Sequence, residues 1–310
     1  MNDDGYVIEW PLWGLRMPDR PTGLDGALQV GEGLLYQPTW SQWNNMEYGD
    51  IVSENAGQYL YAERLGAAVR SLPPVCALRL STAGADGEPD PTMDEQEHEA
   101  RNLFEALRLY SPGDFVDPSE TGVYVTYPND LVVRAVRPFR SAFYGSSPAD
   151  PYVVGADDCE PLDDLAALVG VVRQNPEHVN AALAIENFRL SFGSAASPAE
   201  RALHRFIALE ALLGRVGGST AGAPFAVRAR HAAADAGPDA ETWLASVREL
   251  RNAVAHGIAS ADPTEEDLAM LEAITREILL SYLNYISTGN HPDPLAGFNR
   301  ALAAGPIGTQ

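Results

Sequence analysis

The spacing of apolar residues changes part-way along the chain. Up to about residue 155 the apolar runs are short and rich in β-branched and aromatic side chains. Tyr6-Val7-Ile8-Glu9-Trp10, Val75-Cys76-Ala77-Leu78-Arg79-Leu80, Gly122-Val123-Tyr124-Val125-Thr126-Tyr127 and Leu131-Val132-Val133-Arg134-Ala135-Val136 predict strands. Pro128-Asn129-Asp130, lying between the last two, predicts a hairpin turn. Thr92 and Glu95 have the spacing of a capping box and predict a helix from Met93 to about Tyr110. The acidic stretch from Gly84 to Pro91 lacks the alternating ligands and central glycine of a calcium loop, so it is expected to be a solvated linker.

Beyond Gly155-Ala156-Asp157-Asp158-Cys159-Glu160-Pro161 the period becomes helical. Pro161 is expected to open a helix to about Gln174, and Pro176 to break it and start another to about Phe192. Ser197-Pro198-Ala199-Glu200 combines a cap, a first-turn proline and a returning carboxylate, predicting a helix that ends near Gly214. Gly217-Gly218-Ser219-Thr220 is expected to be a flexible loop, without the lysine or the spacing of a phosphate-binding loop. Helices are predicted over about 224–236, 239–256 and 264–286, the last opened by Pro263-Thr264 with Asp267 completing its cap. These signals give an α+β domain over residues 1–157 and an all-α domain over residues 158–310, with no internal repeat.

Projection of 198–213 onto a helix places Glu210 among Leu203, Phe206, Ile207 and Leu213, and projection of 239–256 places Arg251 beside Leu244, Val247 and Val254. A charge on a core-facing side needs a partner. One account is therefore a structural ion pair of Glu210 with Arg251, or with Arg228 or Arg230.

A second account starts from Arg251-Asn252-Ala253-Val254-Ala255-His256-Gly257. Arginine offers a planar donor fork that matches phosphate oxygens, and histidine exchanges a proton near neutral pH. Such a pair needs no metal or cofactor to act on a phosphate. At about 100° per residue the two side chains stand about 140° apart on an unbroken helix, so convergence requires the helix to stop, and Gly257 is placed to stop it. The alternative is a site shared with a second subunit.

An arginine followed by a polar residue, three more positions and a histidine resembles the R-x4–6-H signature of HEPN domains. Ala208-Leu209-Glu210-Ala211-Leu212-Leu213, Val227-Arg228-Ala229-Arg230-His231-Ala232-Ala233-Ala234 and Val247-Arg248-Glu249-Leu250 precede it in an order similar to the Apea-like branch of that superfamily. The resemblance covers about residues 178–287, a third of the chain, and does not extend to the first half. It implies a HEPN-like helical bundle that forms a homodimer, and a metal-independent endoribonuclease of the kind used in toxin, stress or anti-phage systems. In that role His256 moves the proton of an RNA 2′-hydroxyl or leaving oxygen, Arg251 stabilises phosphate charge, and Asn252 holds the imidazole or a phosphate oxygen. Glu210, Arg228 and Arg230 are the candidate supporting residues. The other implied reading is a catalytically silent HEPN-like binding or dimerisation module. Systems that modify a HEPN domain place a tyrosine just beyond the histidine, and here Gly257-Ile258-Ala259 follows.

Composition shifts this picture in one respect. The 310 residues carry a formal charge of −22, a field that opposes nucleic acid, although all 21 basic residues are arginine. Cys76 and Cys159 lack metal-ligand spacing and read as reduced thiols. With no apolar run of membrane-spanning length and an acidic start, Met1-Asn2-Asp3-Asp4, a cytoplasmic protein without membrane association is expected. His204 and His231 read as packed or surface imidazoles and His98 as part of a charged solvated face, while His178 and His291 carry no signal; Trp10, Trp13, Trp40 and Trp43 read as packing residues, with stacking on a base or ligand as the alternative.

Overall fold

The computed structural model describes residues 7–12, 15–17, 19–21, 24–37, 76–81, 93–111, 124–126, 134–135, 152–193, 196–215, 218–234, 240–256, 263–289 and 291–307. The chain divides into two compact units, Met1–Leu107 with Gly113–Asp164, and Arg108–Pro112 with Leu165–Gln310.

The first unit is built on an antiparallel sheet. Its strands are β1 (Val7–Leu12), β3 (Leu28–Val30), β4 (Gly33–Tyr36), β5 (Cys76–Ser81), β6 (Tyr124–Thr126) and β7 (Arg134–Ala135), in the order β3-β4-β5-β1-β6-β7. β1 and β5 pair in the register Ile8↔Leu80 and Trp10↔Leu78, and β6 meets β7 at Tyr124↔Ala135. Four of these strands follow the β-branched runs of the sequence. The turn expected at Pro128-Asn129-Asp130 lies outside the described residues, as do Thr92, the linker Gly84 to Pro91, Trp13, Trp40, Trp43 and the side chain of Trp10. The β3–β4 hairpin is an addition. Its turn needs the positive φ of +54° at Gly31, which glycine adopts without steric cost, and alternation puts Leu28 and Val30 inside with Gln29 out. A short parallel pair joins β2 (Leu15–Arg16) to β8 (Tyr152–Val153). Helix α1 runs from Met93 to Tyr110, as its periodicity predicts.

Helix α2 (Cys159–Gln174) begins before Pro161. A 3-10 turn over Ala156–Asp158 leads into it, and Asp158 Oδ2 accepts the Gly155 N–H at 2.7 Å. Pro161 therefore sits inside the first turn, where a helix has no use for its missing N–H. Cys76 and Cys159 are free thiols, and burial pushes both up from the ordinary thiol range.

The second unit is a helical bundle of α3 (Val179–Leu190), α4 (Pro198–Leu213), α5 (Phe225–Ala232), α6 (Ala240–Ala255), α7 (Glu265–Ser287) and α8 (Pro294–Ala304). The expectation of an all-α domain is amended by one two-residue hairpin, β9 (Ser219–Thr220) with β10 (Ala223–Pro224), in place of a plain flexible loop. Ala221 and Gly222 at its tip both have positive φ, 51° and 83°, the backbone a tight two-residue hairpin demands. α4 lies at the centre, packed on α3, α7 and α6. It starts as its sequence dictates: Ser197 Oγ accepts the Glu200 N–H at 3.3 Å while Glu200 Oε2 accepts the Ser197 N–H at 2.7 Å. α7 opens through the equivalent exchange between Thr264 and Asp267.

The core of α4 differs from the projected stripe. Ala202, Phe206, Ala208, Leu209, Leu212 and Leu213 are buried, whereas Leu203 is 37% exposed and Ile207 half-buried. Helices pack on α4 from more than one side, so a single amphipathic face underestimates its burial. Each large apolar side chain so enclosed contributes about 1.5–3 kcal/mol. Among the described residues no helix is long and apolar enough to cross a membrane.

Candidate functional site

The residues singled out by sequence fall at one end of α6. The helix is regular through Arg251 and Asn252 to Ala255, and the His256 N–H still donates to the Asn252 carbonyl at 3.0 Å. Interruption comes at His256 itself, too late to fold His256 back over Arg251. The helical phase instead puts Asn252 and His256 one turn apart on the same face, with Arg251 roughly 100° round from Asn252. Asn252 and His256 are exposed. Gly257 lies outside the described residues, as do the side chains of Leu244 and Val247 expected beside Arg251.

Arg251 turns toward α4. Its Nε donates to Glu210 Oε1 at 3.1 Å and its Nη2 donates to Glu210 Oε2 at 3.1 Å, a side-on two-point pair. The side chains are 24% and 20% exposed. Of the partners considered for Glu210, the structure pairs it with Arg251, and Arg228 bonds to carbonyls and Asn299 instead.

Arg228 is fully buried and serves the end of α4. It donates to the Leu213 and Ala223 carbonyls and to Asn299 Oδ1, and Asn299 Nδ2 in turn donates to the Leu212 carbonyl at 2.8 Å. A guanidinium among the last carbonyls of a helix meets the negative end of its dipole, which supplies counter-charge where no carboxylate does. Burial pulls the Arg228 pKa down from the ordinary range. Gly214 closes the same helix end at φ +73°, its N–H donating to the Glu210 carbonyl. Arg230 is exposed beside His231.

The histidines separate clearly. His178 Nδ1 lies 2.8 Å from Tyr282 Oη, and His204 Nδ1 lies 3.0 Å from Asn187 Oδ1. His231 Nδ1 is 2.6 Å from the Leu302 carbonyl, and His291 Nε2 is 3.0 Å from the Tyr285 carbonyl while stacking on that ring. His98 also has a partner. Among the described residues His256 alone of the six histidines has a ring that engages nothing.

A buried charge cluster next to this site was not singled out from sequence. Arg205, fully enclosed on α4, donates to Ser191 Oγ at 3.1 Å, to the Leu268 carbonyl at 2.6 Å and to Glu272 Oε2 at 2.8 Å. Arg276 donates to the other Glu272 oxygen at 2.6 Å and to the Arg108 carbonyl at 3.1 Å. The Phe192 ring lies under two of these cations, with Arg108 Cζ at 4.6 Å and Arg205 Cζ at 5.4 Å from its centroid. The one sequence signal was helical spacing: Arg205 stands three residues after Ala202 and four before Leu209, both apolar. This cluster ties α4 to α7 and so fixes the helix that carries Glu210.

Compared with protein-family models, curated proteins and solved structures, the chain matches none of them.

Proposed function

We propose that the helical unit is a HEPN-type endoribonuclease that uses Arg251 and His256 without a metal, in keeping with the Apea-like resemblance of residues 178–287. The observation that carries this reading is the unengaged, exposed His256 imidazole, standing one turn from the exposed amide of Asn252. A histidine at a helix end with a structural role would instead be bonded to carbonyls, as His231 and His291 are.

In the proposed reaction His256 accepts the proton of an RNA 2′-hydroxyl, the 2′-oxygen attacks the adjacent phosphorus, and the bond to the 5′-oxygen breaks. The products are a 2′,3′-cyclic phosphate and a 5′-hydroxyl, the leaving oxygen taking up a proton. Arg251 stabilises the charge that builds on the phosphate. Because Arg251 and His256 diverge by about 140° on a continuous helix, one phosphate is served by Arg251 of one copy and His256 of a second, which makes the active form a homodimer. The first unit then reads the trigger of a defence or stress response.

The test is cleavage of mixed tRNA and mRNA by the purified chain with EDTA present. Loss of cleavage in His256→Ala with a cyclic-phosphate product is expected, and equal cleavage by wild type and variant refutes the assignment. Mixing Arg251→Ala with His256→Ala chains restores part of the activity if the groups act across copies.

A second reading has its own support. The two-point Glu210–Arg251 pair suits a catalytically silent binding or dimerisation module in which Arg251 only joins α6 to α4. Absence of cleavage by the wild-type chain favours it.

A further inference from the structure

We infer that Glu210 is a positioning residue for Arg251, holding its guanidinium so that the outer edge meets a phosphate; this rests on the ribonuclease reading above. A guanidinium carries five N–H donors, arranged on two edges that can each grip a pair of oxygens. Glu210 occupies the edge made by Nε and Nη2, with both contacts at 3.1 Å. Two donors on Nη1 and one on Nη2 remain, coplanar with the pair and directed away from the carboxylate.

Nη1 has no hydrogen-bond partner among the described residues, and it is not one of the unpartnered atoms sealed from solvent. The edge it forms with Nη2 is the end-on fork that matches two phosphate oxygens. The two-point grip also removes rotations that a free arginine would lose on meeting the phosphate, so less entropy is lost at that moment. α4, the helix that supplies Glu210, is itself held to α7 by the Arg205–Glu272 contact, so the carboxylate stands on a fixed support.

Glu210 also offsets part of the Arg251 charge. Its removal therefore has opposite effects on two constants. An ungripped guanidinium attracts the polyanion at least as well, so KM stays level or falls, while misplacement at the phosphate lowers kcat. A purely structural carboxylate changes the folded fraction and leaves the kcat of folded molecules as it was.

The experiment measures kcat and KM of the full chain on a defined RNA transcript, well below the melting temperature, with the folded fraction taken from thermal melts. For Glu210→Gln, kcat per folded molecule is expected to fall about tenfold or more with KM unchanged or lower. Glu210→Asp, which keeps the charge, recovers part of the loss, and Glu210→Gln adds nothing further to Arg251→Ala. An unchanged kcat per folded molecule in Glu210→Gln, or an equal loss in the Arg251→Ala background, overturns the inference alone. If the wild-type chain cleaves nothing, the ribonuclease reading falls and takes this inference with it, a result visible before any Glu210 variant is measured.

Discussion

Glu272 is a single carboxylate shared by two enclosed arginines, and its removal is expected to be severe. One oxygen receives Arg205 Nη2 at 2.8 Å and the other Arg276 Nη2 at 2.6 Å. Arg205 is fully buried and the Arg276 side chain is 7% exposed, so neither can reach water when Glu272 becomes alanine. Breaking a buried pair from one side costs about 3–5 kcal/mol. In a unit of roughly 150 residues each kcal/mol moves the midpoint by about 2–4 °C, which gives a drop of roughly 6–20 °C. Glu272→Gln keeps one acceptor but turns an amide N–H₂ toward a guanidinium, so it falls between wild type and alanine. The assay is thermal unfolding followed by circular dichroism, with guanidinium titration to check that the slope is unchanged. A fall below about 2 °C for Glu272→Ala refutes the argument that these arginines depend on that carboxylate. The charge account has a further check. Replacing Arg205, Glu272 and Arg276 together by Met, Leu and Leu recovers much of the loss, because none of the three charges is then left without its partner.

Arg251→Ala leaves Glu210 half-buried without its two-point partner, with an expected loss of about 1–2 kcal/mol in thermal melts; no shift at all would separate this pair from the fold. Ser197→Ala removes one half of the reciprocal cap of α4 and costs about 1 kcal/mol, measured by denaturant titration, whereas an unchanged midpoint argues that packing alone sets the helix start. His178 gives a pH dependence. Burial lowers its pKa, with Glu177 pulling the other way, and its neighbour Tyr282 is pushed up to about 12 by its own burial. The folded state thus prefers neutral His178, a contribution present above the ordinary value of about 6.5 and lost as pH falls through the lowered one. Stability between about pH 7.5 and about pH 5 is expected to decline less steeply in His178→Gln than in wild type, and an equal slope would discount His178.

Much of the framework was legible because the chemistry that sets it is local. The caps of α4 and α7 are exchanges between residues three apart, Ser197 with Glu200 and Thr264 with Asp267, so the spacing alone carries the signal. Helix α8 was missed although its start has the same logic: Asp293 Oδ1 accepts the Ala296 N–H at 3.2 Å and Pro294 occupies the first turn. The β3–β4 hairpin was signalled by Gly31-Glu32-Gly33 between two apolar runs, a turn the strand pattern passes over because both strands are short. The partners of the buried charges were out of reach. Arg205 meets Leu268 and Glu272 at separations of 63 and 67 residues, and Arg228 meets Asn299 at 71. Helical projection assigns one inner face to α4, and only the packing of several helices on it reveals that Arg205 is inside.

The phase of α6 sets a condition that the catalytic reading must meet. Arg251 faces α4 and is held there, while Asn252 and His256 share a different, exposed face. A single copy therefore offers a phosphate either the guanidinium or the imidazole at short range, and catalysis by both needs two copies of this helix end. Each copy brings a formal charge of −22, which opposes both pairing and the approach of RNA. That repulsion is long-range and is screened beyond about 8 Å at physiological salt, whereas a guanidinium fork acts on a phosphate at hydrogen-bond distance. Association is therefore expected to strengthen as salt rises from low values, until screening reaches the Arg251–phosphate contact itself. A ribonuclease built this way shows cleavage that first increases with ionic strength and then declines. Cleavage that falls steadily from the lowest salt, as for a basic enzyme, contradicts the arrangement.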